Sequence, residues 1–369
     1  MPTAPPRSRP RAARRDRDRP PKPTLRENAW YWAKAILAIL ILRAFIGEPY
    51  RIPSESMEDT LLVGDFLIVS KVHWGPRTPE TIGVPFTGLY LPGVRLPQVR
   101  LPGFTEPDRG DVVVFNYPAG VDVVRGAIPA SVPVERRAPY IKRLMALPGD
   151  TMAVLDKVLH INGRPVPLAP TMKQRWRVTS TGDGRPNARQ LDEMGVQLVE
   201  NSDRRDGAGL ASPRQYDVFA TPPEVEALEA LPAVARVDPY ILDERSVDPT
   251  YGANPDHVPP RVVPAAGLTV PLTEASLPVY AEAITRHEGR RLARGPGGTV
   301  LVDGQPATTY TFAQDYYVAM GDFRDNSVDS RYWGFVPHSH LVGKATITFL
   351  SFKAEPPFVR IGRFFRPIP

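Results

Sequence analysis

The most apolar run in the chain spans residues 29–46, AWYWAKAILAILILRAFI, and its length predicts one helix able to cross a thin or tilted bilayer. Trp30, Tyr31 and Trp32 stand at its start, where interfacial aromatics belong, while Lys34 and Arg43 sit near its ends and can snorkel toward headgroups. A buried amphipathic core helix is the alternative, and it is the weaker one although only 35–42 is free of charge. A cleaved signal sequence fits badly, because Phe45 precedes Gly47 where a small-x-small pair would be needed. Beyond the helix the pattern changes to short β-branched or aromatic runs at 66–69, 112–115, 158–161, 300–302, 316–319 and 345–350. Gly, Asp, Asn and Pro bound them. This predicts a mainly β fold with an antiparallel core, not alternating βαβ units.

Two segments interrupt that rhythm. Residues 74–108 are rich in Pro and Gly, and residues 169–298 are long, mixed in polarity and dotted with proline. Within the second, 223–237 carries a short helical pattern broken at Pro232, and the GPGG at 295–298 reads as a hairpin turn or loop. So long a segment without structure of its own would be unusual in a compact domain. The expected organisation is a tail over 1–28, an anchor over 29–46, a β catalytic core from 47–168 and 299–369, and an inserted cap over 169–298.

Composition narrows the classes. Forty-four prolines in 369 residues, more than twice the usual ~5%, argue against long helices as the main element. With no cysteine, disulfides, thiolate nucleophiles and Cys-ligated metals are excluded together. The net charge of +6 equals the excess of nine bases over three acids within 1–28, so the remainder is neutral overall. A distributed nucleic-acid footprint is therefore not expected. The tail reads as disordered, and the positive-inside bias puts it in the cytoplasm with everything after Gly47 across the membrane. Six histidines form no HExxH, no metal cage and no strong His-based triad; the PHSH at 337–340 reads as a solvated turn.

Four motifs carry chemistry. The first, IPSESMEDTL at 52–61, presents two serines in a turn. The second, RGDVVVF at 109–115, reads as a structural turn entering a core strand. In the third, YIKRLMALPGD at 140–150, strand alternation puts Tyr140, Lys142 and Leu144 on one face and Ile141, Arg143 and Met145 on the other. A lysine in such a setting is either a snorkelling surface residue or a buried amine whose lowered pKa makes it a general base. The fourth, MGDFRDNSVDSRYWG at 320–334, is too polar for a core strand and reads as an elaborate turn or a hydrogen-bonded wall.

In this order and spacing the motifs resemble those of bacterial type I signal peptidases, membrane-bound serine proteases with a Ser-Lys dyad. The resemblance covers about 29–168 and 299–352. It implies that Ser56 is the nucleophile and Lys142 the general base. It implies further that Ser54 and the backbone N–H of Ser56 form the oxyanion hole, and that Ser327 orients the lysine. Asp329 and Arg331 would be a supporting ion pair, Tyr140 a neighbour of the lysine, and Ile52 and Ile141 the lining of pockets for Ala-like side chains. The implied partners are signal peptides of exported preproteins and the lipid bilayer, without metal or cofactor, on the outer face of a bacterial plasma membrane. Two positions depart from the family pattern: Asp59 where Pro is usual, and Phe323 where Asn is usual. If near the site, the Asp59 carboxylate would favour protonated Lys142. The rival readings are a catalytically silent membrane-anchored scaffold, and a Ser-Lys self-cleaving regulator, whose DNA-binding N-terminal domain is here replaced by the apolar run.

Overall fold

The computed structural model describes residues 24–82, 91, 93–122, 125–182, 188–199 and 214–369. The tail expected over 1–28 lies outside them, apart from 24–28. A helix α1, Leu25–Ile41, continues through a π turn, Leu42–Ile46, and buries none of its side chains. It starts four residues earlier than the hydrophobic run because Thr24 and Glu27 form a capping box, with the Thr24 N–H donating to the Glu27 carboxylate at 2.8 Å. Such a cap is worth about 1 kcal/mol. Over 25–46 the helix is long and apolar enough to cross a membrane.

The second unit, 44–369, is mainly antiparallel β. Its principal strands are β1 Gly47–Arg51, β2 Asp65–Ser70, β3 Val112–Asn116, β4 Pro139–Ala146, β5 Thr151–Leu155, β6 Val158–Ile161, β7 Gln174–Ser180, β8 Gln197–Leu198 and β9 Gln215–Ala220. Helix α2, Pro222–Glu229, follows, then β10 Val234–Pro239, β11 Val258–Val262, β12 Tyr316–Met320, β13 Val336–Pro337, β14 Leu341–Ser351 and β15 Arg366–Pro367. The main sheet runs β1-β2-β14-β3-β4-β12-β13, with β15 also paired to β14. All six strands expected from the apolar runs are present. Alternation along β3 and β4 sorts side chains into two cores. Val113, Phe115 and Leu144 pack with Tyr317 and Trp333, while Val112, Val114 and Ile141 pack with Ile52, Met57 and Leu67.

The long segment 169–298 behaves as two halves. Its first half folds β8-β9-β7-β10 into a separate four-stranded sheet whose core includes Val178, Tyr216, Val218 and Leu228. Its second half returns to the body: β11 pairs with β5, and Tyr280 and Ile284 share one core with Met145, Val154 and Phe312. The helical pattern expected over 223–237 stops at Glu229, and 234–239 is a strand paired with β7. Pro232 lacks the N–H that a continuing helix needs, and the edge of β7 supplies a ladder instead. Pro296–Gly298 is a turn between paired strands, as the GPGG reading expects.

The PHSH segment departs from its expectation. His340 is buried, 3.2 Å from an Arg137 guanidinium nitrogen and stacked at a tilt 5.4 Å from His287. Burial holds the His340 pKa well below the ordinary imidazole value and pushes half-buried His338 down to about 4. Within the 3-10 turn at 338–340, His340 is buried and His338 and Ser339 are half-buried, so the segment is not a solvated turn.

Candidate active site

Strand β4 lies between β3 and β12, and its register sets Lys142 opposite Val113 and Arg143 opposite Val112. Lys142 is only 3% exposed, and its Nζ donates to Ser56 Oγ at 2.5 Å. Ser56 is 8% exposed, on the turn that leads from β1 to β2. Loss of hydration pushes the Lys142 pKa down from 10.5 to about 8, against Asp329 and Asp322, which raise it, and with Arg331, which lowers it further. An amine in that range is substantially neutral near pH 8, and a neutral amine at hydrogen-bond distance from a hydroxyl can accept its proton.

The fourth motif wraps this pair. Gly321 donates its N–H to Asp329 at 3.0 Å, and a Cβ at Gly321 would fall 2.5 Å from the Ser56 carbonyl oxygen and collide with the Ser327 hydroxyl. Only glycine permits that approach. Asp329 takes two bonds from Arg331, each 2.9 Å, with both residues buried. Ser327 is buried, and its hydroxyl has no hydrogen-bond partner among the described residues. Tyr140 donates to Asp122 at 3.1 Å, and its ring centre lies 5.9 Å from the Lys142 amine. Ile52 is fully buried, and Ile141 packs partly buried against the same cluster. Ser54 is exposed on the Ser56 turn.

Four residues that sequence reading did not single out as site residues prove to organise it. Arg143, on the opposite face of β4 from Lys142, clamps Asp322 bidentately at 2.9 and 2.7 Å, and Asp322 also accepts the Thr60 hydroxyl at 2.6 Å. The fourth motif is thereby tied to both β4 and the Ser56 turn. Gly321 is one more, and Lys173 the last. The one signal for Arg143 and Asp322 is membership of the motifs, Arg143 next to Lys142 in β4 and Asp322 two residues past the end of β12; for Lys173 no local signal exists.

The Asp59 carboxylate does not face Lys142. It pairs with the Lys173 amine at 3.1 Å and is absent from the charges that act on the Lys142 pKa. Asp59 has φ +70°, outside the range proline can adopt, so the turn cannot be built with the residue usual at this position. Phe323 is buried with its ring edge-on to Phe219 of β9, 4.9 Å between centroids. Both departures from the family pattern therefore meet residues of the inserted segment. A cavity of about 720 Å3 lies alongside, lined by Glu58, Asp59 and Lys173 and by Gln197 and Glu224 of the insert.

An apolar N-terminal helix, an antiparallel β body and a buried serine hydroxyl against a lysine amine define the class, a membrane-associated serine peptidase. The profile of the family described as "Signal peptidase, peptidase S26" matches residues 25–206 and 261–350. A signal peptidase I of Buchnera aphidicola subsp. Acyrthosiphon pisum is 26% identical over 350 residues, covering 91% of this chain and 82% of its own. One from Haemophilus influenzae is 27% identical over 338 residues, covering 90% of this chain and 73% of its own. One from Pseudomonas aeruginosa is 34% identical over 148 residues, 39% of this chain and 40% of its own. The chain belongs to the signal peptidase family, peptidase S26, and is a hydrolase that cleaves signal peptides.

Proposed function

We propose that the peptidase works through a Ser56–Lys142 dyad and an acyl-enzyme. The observation that carries this reading is the 2.5 Å contact between a buried amine and a buried hydroxyl, with the amine's pKa lowered to about 8. Neutral Lys142 takes the Ser56 proton as Oγ attacks the scissile carbonyl. The resulting ammonium then protonates the leaving amine, and water, deprotonated by the same amine, hydrolyses the ester. The Ser56 N–H and the Ser54 hydroxyl serve as oxyanion donors, each worth about 3 kcal/mol in the transition state. Ser327, whose buried hydroxyl has no hydrogen-bond partner among the described residues, is left available to take up and orient the lysine amine; the Asp329–Arg331 pair and Tyr140 fix the wall behind it. Ile52 and Ile141, which pack in one apolar cluster, are assigned the contact with Ala side chains at the first and third positions before the cut.

The same reading assigns the helix over 25–46 as a single span with its basic tail cytoplasmic and the β body outside, bringing the enzyme to lipid-embedded substrates. The core is assigned to 47–168 and 299–369, and of 169–298 the first half, with its own sheet, is the insert, while the second half packs onto the core. The test is hydrolysis of a preprotein with an Ala-x-Ala site. Ser56→Ala is expected to lower turnover by about 10⁴-fold or more. Absence of turnover in the unaltered chain would return the protein to the class of silent scaffolds, and retained turnover in Ser56→Ala would assign its chemistry to another residue.

A further inference from the structure

Lys173 opens the inserted segment, and it closes a ring around the nucleophile. Its backbone N–H donates to the Asp322 carbonyl at 2.9 Å, and its own carbonyl accepts the Arg324 N–H at 2.7 Å, so its main chain brackets Phe323 on both sides. Phe323 in turn donates its N–H to the carbonyl of Ser56 at 3.2 Å. From the other direction the Lys173 amine, on a side chain only 2% exposed, pairs with Asp59, three residues beyond Ser56, at 3.1 Å. The Phe323 ring lies 5.7 Å from that amine and is capped by Phe219 of the insert sheet. Two anchor points on the Ser56 turn, its carbonyl at 56 and its carboxylate at 59, thus converge on one residue.

We infer that Lys173 is a positioning residue for the nucleophile, and that the inserted segment is part of the apparatus that holds Ser56 in register with Lys142 rather than an appended cap. The inference rests on the dyad reading. Lys173 touches neither the reacting hydroxyl nor the base, and acts by fixing the turn through Asp59 and Phe323. A misplacement of about 1 Å in a reacting group can cost 10²-fold in rate, so a buried clasp on this turn is expected to appear in kcat.

The test uses the full chain in detergent with an Ala-x-Ala preprotein, comparing Lys173→Met, Asp59→Asn, the double variant and Lys173→Arg. Lys173→Met and Asp59→Asn are each expected to lower kcat by about 10- to 100-fold with KM little changed. The double variant is expected to be no worse than the more impaired single variant, because both remove one interaction. Lys173→Arg, which keeps the charge, should recover most of the rate. Thermal melts identify the folded variants, and half-exposed Asp59 supplies the measurement if Lys173→Met does not fold. Wild-type kcat in a folded Asp59→Asn or Lys173→Met protein, or losses that multiply in the double variant, would overturn the inference. Failure of the dyad reading has a separate signature, an active Ser56→Ala protein, and leaves these ratios readable.

Discussion

Lys142 and Lys173 both reach the turn that carries Ser56, both are almost wholly withdrawn from water, and they meet opposite chemistry there. Lys142 faces a hydroxyl at 2.5 Å, while the carboxylate of Asp329 is occupied by Arg331 and that of Asp322 by Arg143. With no carboxylate among the described residues left to pair it, burial pushes its pKa to about 8. Lys173 faces the Asp59 carboxylate directly at 3.1 Å, so it has the counter-ion that Lys142 lacks. The two lysines are alike in burial and differ in their partners. At Lys142 the nearby carboxylates are already held by arginines, and the amine loses hydration without gaining a counter-ion.

The largest way to break this contrast is to delete the two amines in turn. Lys142→Met should lower turnover by about 10⁴-fold or more, well beyond the loss expected for Lys173→Met, and equal losses in steady-state assays would erase the distinction between base and clasp. Next in size is the pH response. The base works in its neutral form, so with a pKa of about 8 the rate should be level above that value and fall tenfold for each pH unit below it. By pH 5 the loss would be about 10³-fold, and a kcat/KM profile that stays level from pH 9 to pH 5 would contradict a titrating lysine. The smallest effect sharpens the role of the arginine-held carboxylates. Asp329 raises the Lys142 pKa, so Asp329→Asn should move the acidic limb of the profile to lower pH, by about one pH unit. A limb displaced upward would show that the Asp329 charge acts on the lysine in the opposite sense.

Much of the site was legible along the chain because the relevant constraints are local. Period-two alternation in YIKRLM separates Lys142 from Ile141 and Arg143, and the two faces of β4 bear this out in their different cores. Dense Asp, Asn, Ser and Arg in the fourth motif marked a polar wall, and Asp329–Arg331 and Arg143–Asp322 are two of its bonds. What failed was reading residues whose partners lie far away. Asp59 was weighed against Lys142 because both belong to recognised motifs, whereas its partner Lys173 lies outside all four. His340 looked solvated in a short polar string, yet Arg137 and His287, each from a distant segment, enclose it.

From residue order alone came the apolar helix, the antiparallel strands, the absence of thiol chemistry and the candidate serine and lysine, because periodicity, turn chemistry and composition act over a few neighbours. Only the folded chain decided which group each lysine meets, a hydroxyl for one and a carboxylate for the other, since charge pairing depends on distance and on how much water is excluded. Those quantities exist once β4, the Ser56 turn and the start of the insert are packed together, and no window along the sequence contains them.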